Sequence, residues 1–437
     1  MVLTIGTAAQ TLPQWPAVTK EAKPGSRWWW LGSAVDEANL QWNIAEYART
    51  GIGTLEITPI YGVKGNEKNE LAYLSERWLQ ALNACQTTGD SHGVDIDMNG
   101  GTGWPFGGPR VKMAEAAGKL VTKTEVMTAD GTKPLTYNVA TPEGNAPLNK
   151  VMAYRQDGDS HEAIDVTEHV SGNALSWTAP AGQWRLLAIY NGHTLQQVKR
   201  AAPGGEGYVL DHFDADAVRN YLNYFDTQFE KFGARWPHTF FNDSYEVYGA
   251  DWTPKMFDEF LKYRGYKLED HMDQLLGYRS DEGNQVLADY RQTLSDMLLN
   301  NFTRPWAAWA HSHGATVRNQ GHGSPGNLLD FYAAVDIPEI EGFGITDFKI
   351  RGLRTDGGFT SPNLSDLATL KYASSAAHVT GKPLTSSETF TWLAEHFRVS
   401  LSQMKPDLDL MFIAGVNHIF FHGTTSSPRE AAWPAWQ

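Results

Sequence analysis

The stretch HTFFNDSYEVY, residues 238–248, decides the fold. A short aromatic and β-branched run ends at Asp243, and Glu246 follows three positions later. Such a run is typical of a buried strand. Its two carboxylates lie where that strand reaches the surface, and their meaning depends on whether other strands end in the same way.

Seven other segments have the composition of buried strands: residues 27–35, 53–59, 93–101, 315–323, 337–343, 383–390 and 418–424. Helical patterns lie between most of them, for example the apolar positions between Val218 and Phe232 and the long stretch from Gln285 to His313. Strands that alternate with helices form parallel sheets. Eight of them predict an α/β protein with a closed (β/α)8 barrel of the TIM type.

One interval interrupts this alternation. Residues 111–210 contain turn signals and strand-like runs such as VMAYRQ and QWRLLAIYNG, with almost no helical period. This pattern predicts a β-rich domain inserted after the third strand. The barrel itself is then expected from residues 27–110 and 211–437.

Both ends of the chain are unusual. Residues 1–26 open with an apolar run followed by small residues, which resembles the end of a secretory signal but lacks the usual basic start. A disordered first dozen residues is the alternative. We expect a secreted or periplasmic bacterial protein. The chain stops at WPAWQ shortly after the eighth strand, so we expect C-terminal domains of a longer chain to be missing.

Composition excludes two classes of partner. The 36 Lys and Arg residues are outnumbered by 50 Asp and Glu, which gives a formal net charge of −14. No basic cluster suggests a groove for a phosphate backbone, so nucleic acid is not expected. No segment approaches the roughly 20 apolar residues that span a bilayer. The single cysteine, Cys85, lies on an apolar helical stripe and is predicted to be buried.

Polar residues accumulate at the ends of the predicted strands. In a (β/α)8 barrel these ends carry the catalytic groups. A single Glu at a strand end is more often a helix cap or a solvated charge, but the coincidence across several strands favours a site. Its members are Glu56, Asp95, Asp97, Asn99, Asp243, Glu246, Arg318, Asn319, Gln320, His322, Glu339, Glu341, Glu388 and His422.

Carboxylates surrounded by aromatic residues suit the cleavage of glycosidic bonds. One carboxylic acid protonates the leaving oxygen, one carboxylate activates water or attacks the sugar, and aromatic faces contact the apolar side of the ring. We therefore predict a glycosidase that binds a carbohydrate. The residues expected to contact the sugar are Trp30, Asn99, Trp104, Asn319, His322, Trp392 and His422.

Several motifs occur together in a fixed order: WWWLGSAV, GIGTLEITPIYG, MNGGTGWPFGGP, KRAAPGGEGYVLDHF, NDSYEV, DIPEIEGFG, SSETFTW and NHIFFHGT. In this order the sequence resembles glycoside hydrolase family 106. The resemblance implies an exo-acting α-L-rhamnosidase that removes terminal L-rhamnose from plant glycosides or pectic polysaccharides, with inversion at the anomeric carbon and dependence on Ca²⁺.

The same resemblance implies roles for individual residues. Glu246 would be the general acid and Glu388 the general base, with Asp243 as a supporting carboxylate or an alternative acid. Glu339 and Glu341 would bind calcium or the sugar hydroxyls. We expect burial to raise the pKa of Glu246 while Glu388 stays ionised.

Two other functions stay open. The barrel could be an exo-glycosidase of another sugar specificity, which a panel of aryl glycosides would reveal. It could also be a non-catalytic carbohydrate-binding fragment, which would bind rhamnose without turnover.

Overall fold

The computed structural model describes residues 14–157, 161–278, 280–342, 344–358, 360–361, 366–392, 398–433 and 435–436, without the side chains of 280–282 and 361. Residues 1–13 lie outside this set. The prediction of a signal-peptide remnant falls largely on them and stays a prediction.

Eight parallel strands close into a barrel and follow each other around the ring in chain order. They are β1 (Gly25–Leu31), β2 (Thr54–Ile60), β3 (Asp95–Asn99), β4 (Thr239–Asn242), β5 (Thr316–Gln320), β6 (Ile337–Glu341), β7 (Ser386–Thr389) and β8 (His418–Thr425). The ring closes because β8 pairs in parallel with both β7 and β1. The predicted α/β barrel is thereby confirmed.

Helices connect the barrel strands and pack around them. They are α1 (Glu37–Thr50), α2 (Glu76–His92), α3 (Ala215–Phe232), α4 (Met256–Arg264), α5 (Met272–Leu275), α6 (Ser280–Met297), α7 (Arg304–Ser312), α8 (Leu328–Ala333), α9 (Leu367–Thr380) and α10 (Leu401–Ile413). Their ends follow local chemistry. The side chain of Asp36 accepts a hydrogen bond from Asn39 N at the start of α1, and Gly51 ends that helix at a φ of 95°.

Strand β1 shows how alternation divides the barrel into an inside and an outside. Trp28 and Trp30 point outward and are fully buried in the core that the helices complete, where Trp30 lies 5.5 Å from the ring of Trp78 on α2. Arg27 points inward and forms ion pairs with carboxylates from other strands. Adjacent residues of a strand face opposite sides, so the tryptophans of one short run serve different purposes.

The deeper part of the barrel interior is filled by Arg318 of β5. Its guanidinium pairs with Glu56, Asp97 and Glu339, and lies 3.5 Å from the ring centre of Phe420. All three acids are at most 1% exposed. A buried charge is stable only when it is paired, so these acids belong to the core of the barrel.

Between β3 and β4 the chain forms two antiparallel sheets. One contains Gly118–Ala129, Gly182–His193, Leu148–Arg155 and Ala163–Asp165 in spatial order, and the other Leu135–Asn138, Ala174–Trp177 and Val170–Ser171. Val151 and Ala153 face a core between these two sheets, whereas Met152 and Tyr154 join the core of the barrel. The larger sheet is therefore covered on both faces.

Short pairings complete the fold. Gly107–Gly108 pairs with Tyr208–Val209 where the chain returns to the barrel, and Ile345–Thr346 pairs with Thr360–Ser361. Cys85 is fully buried on α2. Within the described part of the chain, no helix has the length and apolar character needed to cross a bilayer.

Candidate active site

A cavity of about 390 Å³ opens at the carboxyl ends of the barrel strands, where Leu31, Ile60 and Thr425 of β1, β2 and β8 reach its wall. Four carboxylates line it: Asp243, Glu246, Glu341 and Glu388. The cations Arg27 and Arg200 and the aromatic residues Trp29, Tyr61 and Trp104 line it as well, with Ser244, Thr391 and His422. Its position is that of the active site in enzymes of this fold.

Glu388 of β7 is the most enclosed carboxylate of the cavity. One oxygen, Oε2, pairs with Arg27 Nη2 at 2.7 Å and accepts a hydrogen bond from Gln320 Nε2 at 2.6 Å. The other, Oε1, accepts a hydrogen bond from Thr391 Oγ1 at 3.0 Å. The pKa of Glu388 is raised to about 8, because burial and the charges of Asp243 and Glu341 together outweigh the opposing charge of Arg27.

Glu246 lies beyond the end of β4 in a more open setting. Its side chain is 27% exposed and contacts Lys199 Nζ. Its Oε2 also accepts a hydrogen bond from Trp104 Nε1 at 3.2 Å. The strong burial predicted from the sequence for Glu246 is found instead at Glu388, because Glu388 lies on a strand and Glu246 on a loop that follows one.

Arg27 joins two of the cavity acids. Its Nη1 lies 2.9 Å from Asp243 Oδ2, while its Nη2 holds Glu388. The guanidinium itself is 2% exposed and packs 4.4 Å from the ring centre of Phe241. Asp243 and Glu388, which are 145 positions apart in the sequence, are therefore held on one rigid cation.

His422 of β8 completes the wall beside Glu388. Its Nε2 lies 3.4 Å from Glu388 Oε1, and its ring packs edge-on against Trp29. Burial, together with the nearby charge of Arg27, lowers the pKa of His422 to about 4. His422 is therefore neutral at pH 7 and can share a hydrogen bond with Glu388.

Several residues that were predicted to bind the sugar lie outside the cavity wall. Trp30 is fully buried in the core between barrel and helices. Trp29 lines the cavity in its place, because alternation along β1 turns residue 29 inward. Asn99 donates a hydrogen bond to Gly103 O at 2.5 Å and so holds the loop after β3. Asn319 accepts a hydrogen bond from Asn242 Nδ2 at 2.7 Å, which joins β5 to β4.

Two further predicted sugar contacts also lie outside the cavity wall, each next to a residue that lines it. His322 contacts Glu341 Oε2 at 3.1 Å through Nε2 and the hydroxyl of Tyr332 through Nδ1. Trp392 packs 5.0 Å from the ring of Phe390 and follows Thr391, which does line the cavity.

The two predicted calcium ligands have different surroundings. Both oxygens of Glu339 accept hydrogen bonds, from Gln320 Nε2 at 3.0 Å and Ser386 Oγ at 2.6 Å, and Arg318 lies 2.8 Å away, so Glu339 does not suit a cation. Glu341 lies two positions further along β6, reaches the cavity, and suits one better. In the described residues, no group of three or more His, Cys, Asp or Glu side chains is arranged to hold a metal ion.

Several residues that line the cavity were not predicted from the sequence, namely Arg27, Trp29, Tyr61 and Arg200. A signal existed for the first two, because strict alternation along RWWW places residues 27 and 29 on the same face. No local pattern could assign the others, which reach the cavity from irregular segments.

The barrel and its acid-lined cavity are an arrangement typical of glycoside hydrolases. The chain belongs to glycoside hydrolase family 106, whose family model, described as alpha-L-rhamnosidase, matches residues 148–437.

Two known proteins are similar over nearly the whole chain. A protein of Formosa agariphila named "Putative beta-glucuronidase" is 23% identical over 480 residues, covering 94% of this chain and 38% of the relative. The solved structure of a rhamnosidase from Novosphingobium sp. PP1Y superposes with a TM-score of 0.73 at 18% identity, covering 96% of this chain and 57% of that one. This chain thus spans 38% and 57% of their lengths, and the structural likeness shows a shared fold.

Proposed function

We propose that this protein is an exo-acting α-L-rhamnosidase that hydrolyses terminal L-rhamnose from plant glycosides or pectic polysaccharides with inversion. The observation that carries the proposal is the placement of Glu388 and Glu246 on one cavity in a member of family 106. A cavity of about 390 Å³ is at the small end of ligand pockets and suits a terminal sugar better than an internal one.

In the proposed mechanism Glu388 is the general base. It accepts a proton from the water that attacks the anomeric carbon, and this requires its ionised form. Gln320 and Thr391 donate hydrogen bonds to its oxygens and Arg27 forms an ion pair with it, and all three contacts favour that form against burial. Because the pKa of Glu388 is raised to about 8, activity should increase as pH rises through neutrality.

Glu246 is the proposed general acid, which donates a proton to the oxygen of the departing group. It contacts Lys199 and Trp104 in the absence of substrate. Lys199 Nζ also donates a hydrogen bond to the Tyr248 hydroxyl at 3.0 Å, which remains available to it when Glu246 carries its proton. Asp243 is held by Arg27 and acts in support, keeping the guanidinium aligned with Glu388.

Calcium dependence is also part of the proposal. A divalent cation in this cavity would be held by Glu341 and would neutralise the excess of carboxylates while it bound sugar hydroxyls. Glu339 is not assigned this role because it already forms an ion pair with Arg318.

The direct test is release of 4-nitrophenol from its α-L-rhamnoside, beside a panel of other aryl glycosides, with calcium and with excess chelator. We expect turnover of the rhamnoside only, loss of turnover in the chelator, and β-L-rhamnose as the first product by NMR. Glu388→Gln should abolish turnover, whereas Glu125→Gln, an exposed control in the inserted sheets, should not. Cleavage of another glycoside in preference, or near-native turnover by Glu388→Gln, would refute the proposal.

A further inference from the structure

One wall of the cavity is built by a segment that comes from far along the chain. Lys199 and Arg200 open the motif KRAAPGG, which follows the inserted sheets, and Arg200 lines the cavity beside Tyr61 and Trp104. Its guanidinium carbon lies 5.3 Å from the ring centre of Tyr61 and 5.2 Å from that of Trp104. Its Nη1 also contacts the Tyr61 hydroxyl. We call Tyr61, Trp104 and Arg200 the cationic wall.

Main-chain hydrogen bonds fix the position of this wall. Lys199 N donates to Trp104 O at 2.8 Å, Trp104 N donates to Lys199 O at 3.2 Å, and Tyr61 N donates to Arg200 O at 2.9 Å. Arg200 and Tyr61 have φ values of 56° and 46°, which are unfavourable for residues with a Cβ. Strained backbone of this kind persists where the surrounding structure imposes it, and it clusters at functional sites.

The loop that faces Arg200 is adapted to this close approach. Gly103 has a φ of 55°, and a Cβ atom there would lie 1.8 Å from Lys199 O. Only glycine allows the two segments to touch, so the backbone of Lys199 and Arg200 lies directly against this loop.

Arg200 differs in its charge environment from the other cations at the cavity. Arg27 is paired with Asp243 and Glu388, and Lys199 is paired with Glu246. Among the described residues, no carboxylate oxygen lies within 4.0 Å of the Arg200 guanidinium. A guanidinium that faces a cavity without an acid partner, in a chain of net charge −14, is suited to bind an anion from outside.

The position of the wall shows which part of the substrate it meets. Trp104 donates a hydrogen bond to Glu246, the proposed general acid, and Lys199, the neighbour of Arg200, contacts the same carboxylate. The general acid lies beside the oxygen of the departing group. The cationic wall is therefore on the leaving-group side of the cavity.

We propose that Arg200 binds an anionic substituent, a carboxylate or a sulfate ester, on the group from which rhamnose is released, and so selects acidic glycans. This inference rests on the proposed function. The planar guanidinium matches the geometry of either anion, and Tyr61 and Trp104 offer flat faces to the sugar that carries it.

The test uses three aryl α-L-rhamnosides with comparable leaving groups, which carry a 3-carboxylate, a 3-sulfate or a neutral 3-carboxamide on the phenyl ring. The variant is Arg200→Gln in the 437-residue chain. The matched control is Arg110→Gln, which also removes an arginine packed on a tyrosine but lies outside the cavity wall.

We expect Arg200→Gln to lower kcat/KM for an anionic substrate about tenfold more than for the neutral one, a loss typical of one charge-assisted hydrogen bond. Arg110→Gln should lower none of them selectively. A loss confined to the carboxylate or to the sulfate supports the proposal and identifies the anion. Equal losses on all three substrates would overturn it while the proposed function stands. Absence of any rhamnoside cleavage would overturn both.

Discussion

Replacing Arg27 by Met should have two effects. It should move the acidic limb of the pH dependence of hydrolysis upward, and it should also destabilise the barrel. Arg27 is buried and lies 2.7 Å from Glu388, 2.9 Å from Asp243 and 3.9 Å from Glu56. Its positive charge opposes the burial that raises the pKa of Glu388. Without that charge the pKa of Glu388 rises further, so a smaller fraction of the general base is ionised at neutral pH.

The magnitude follows from the distances. Two unit charges about 4 Å apart interact by about 4 kcal/mol at an effective dielectric constant near 20, and one pKa unit corresponds to about 1.4 kcal/mol. Water that enters the space left by the guanidinium will reduce this effect on the pKa of Glu388. We therefore expect the acidic limb of the kcat/KM profile to move upward by at least about one pH unit. The unpaired acids should also lower the free energy of unfolding by roughly 3–5 kcal/mol.

The assay is a pH profile of aryl rhamnoside hydrolysis between pH 5 and pH 10, together with urea unfolding of the same samples. Arg27→Lys is the companion variant, since it keeps the charge but not the two-pronged geometry, and its limb should move less. If Arg27→Met remains folded and its acidic limb coincides with that of the unaltered protein, Glu388 is not the titrating base and the reasoning fails.

Three further predictions concern single side chains. Glu246→Gln should lower kcat by roughly 10²–10⁴-fold for substrates with poor leaving groups and much less for 4-nitrophenyl rhamnoside, which needs little protonation; equal losses on both would argue against Glu246 as the acid. Trp30→Ala should lower the free energy of unfolding by about 3–5 kcal/mol because Trp30 is fully buried, whereas Trp29→Ala should mainly raise KM; the opposite ranking in urea unfolding would show that the two faces of β1 were misassigned. Burial raises the pKa of Asp211 from 3.8 to about 7. The contribution of protonated Asp211 to the free energy of unfolding is therefore complete below pH 3.8, where this residue is protonated in the unfolded chain too. That contribution is lost as pH rises to about 7, by up to about 1.4 kcal/mol per pH unit. Asp211→Asn should make the free energy of unfolding depend less on pH in this range. If urea unfolding between pH 4.5 and pH 7.5 gave both proteins the same slope of free energy against pH, the prediction would be contradicted.

The barrel could be predicted from local pattern alone. Most of the barrel strands carry β-branched or aromatic residues, and helical periodicity or turn signals separate each strand from the next, so order and approximate bounds follow from the chain itself. The expected run at 418–424 is the observed β8, His418–Thr425. The inserted segment gave a strand pattern for the same reason, since its strands alternate between two cores.

Alternation of side chains along a strand determines which way a residue points but not how deep it lies. Glu339 and Glu341 both point into the barrel from β6, yet they are two residues apart, about 6.6 Å along the strand. That distance separates an acid that neutralises Arg318 in the core from one that reaches the cavity. Depth depends on how far each strand is shifted against its neighbours, which is a property of the closed ring.

The sequence by itself thus determined the class of fold, the end of the barrel that carries chemistry, and the carboxylates Asp243, Glu246, Glu341 and Glu388 as members of a larger acidic set. Only the tertiary structure selected these four from that set, joined Asp243 to Glu388 through Arg27, and brought Arg200 beside Tyr61 and Trp104. The physical reason is that local periodicity records which face of an element is buried, whereas ion pairs and cavity walls join residues about a hundred or more positions apart, and only the folded barrel with its loops sets their distances.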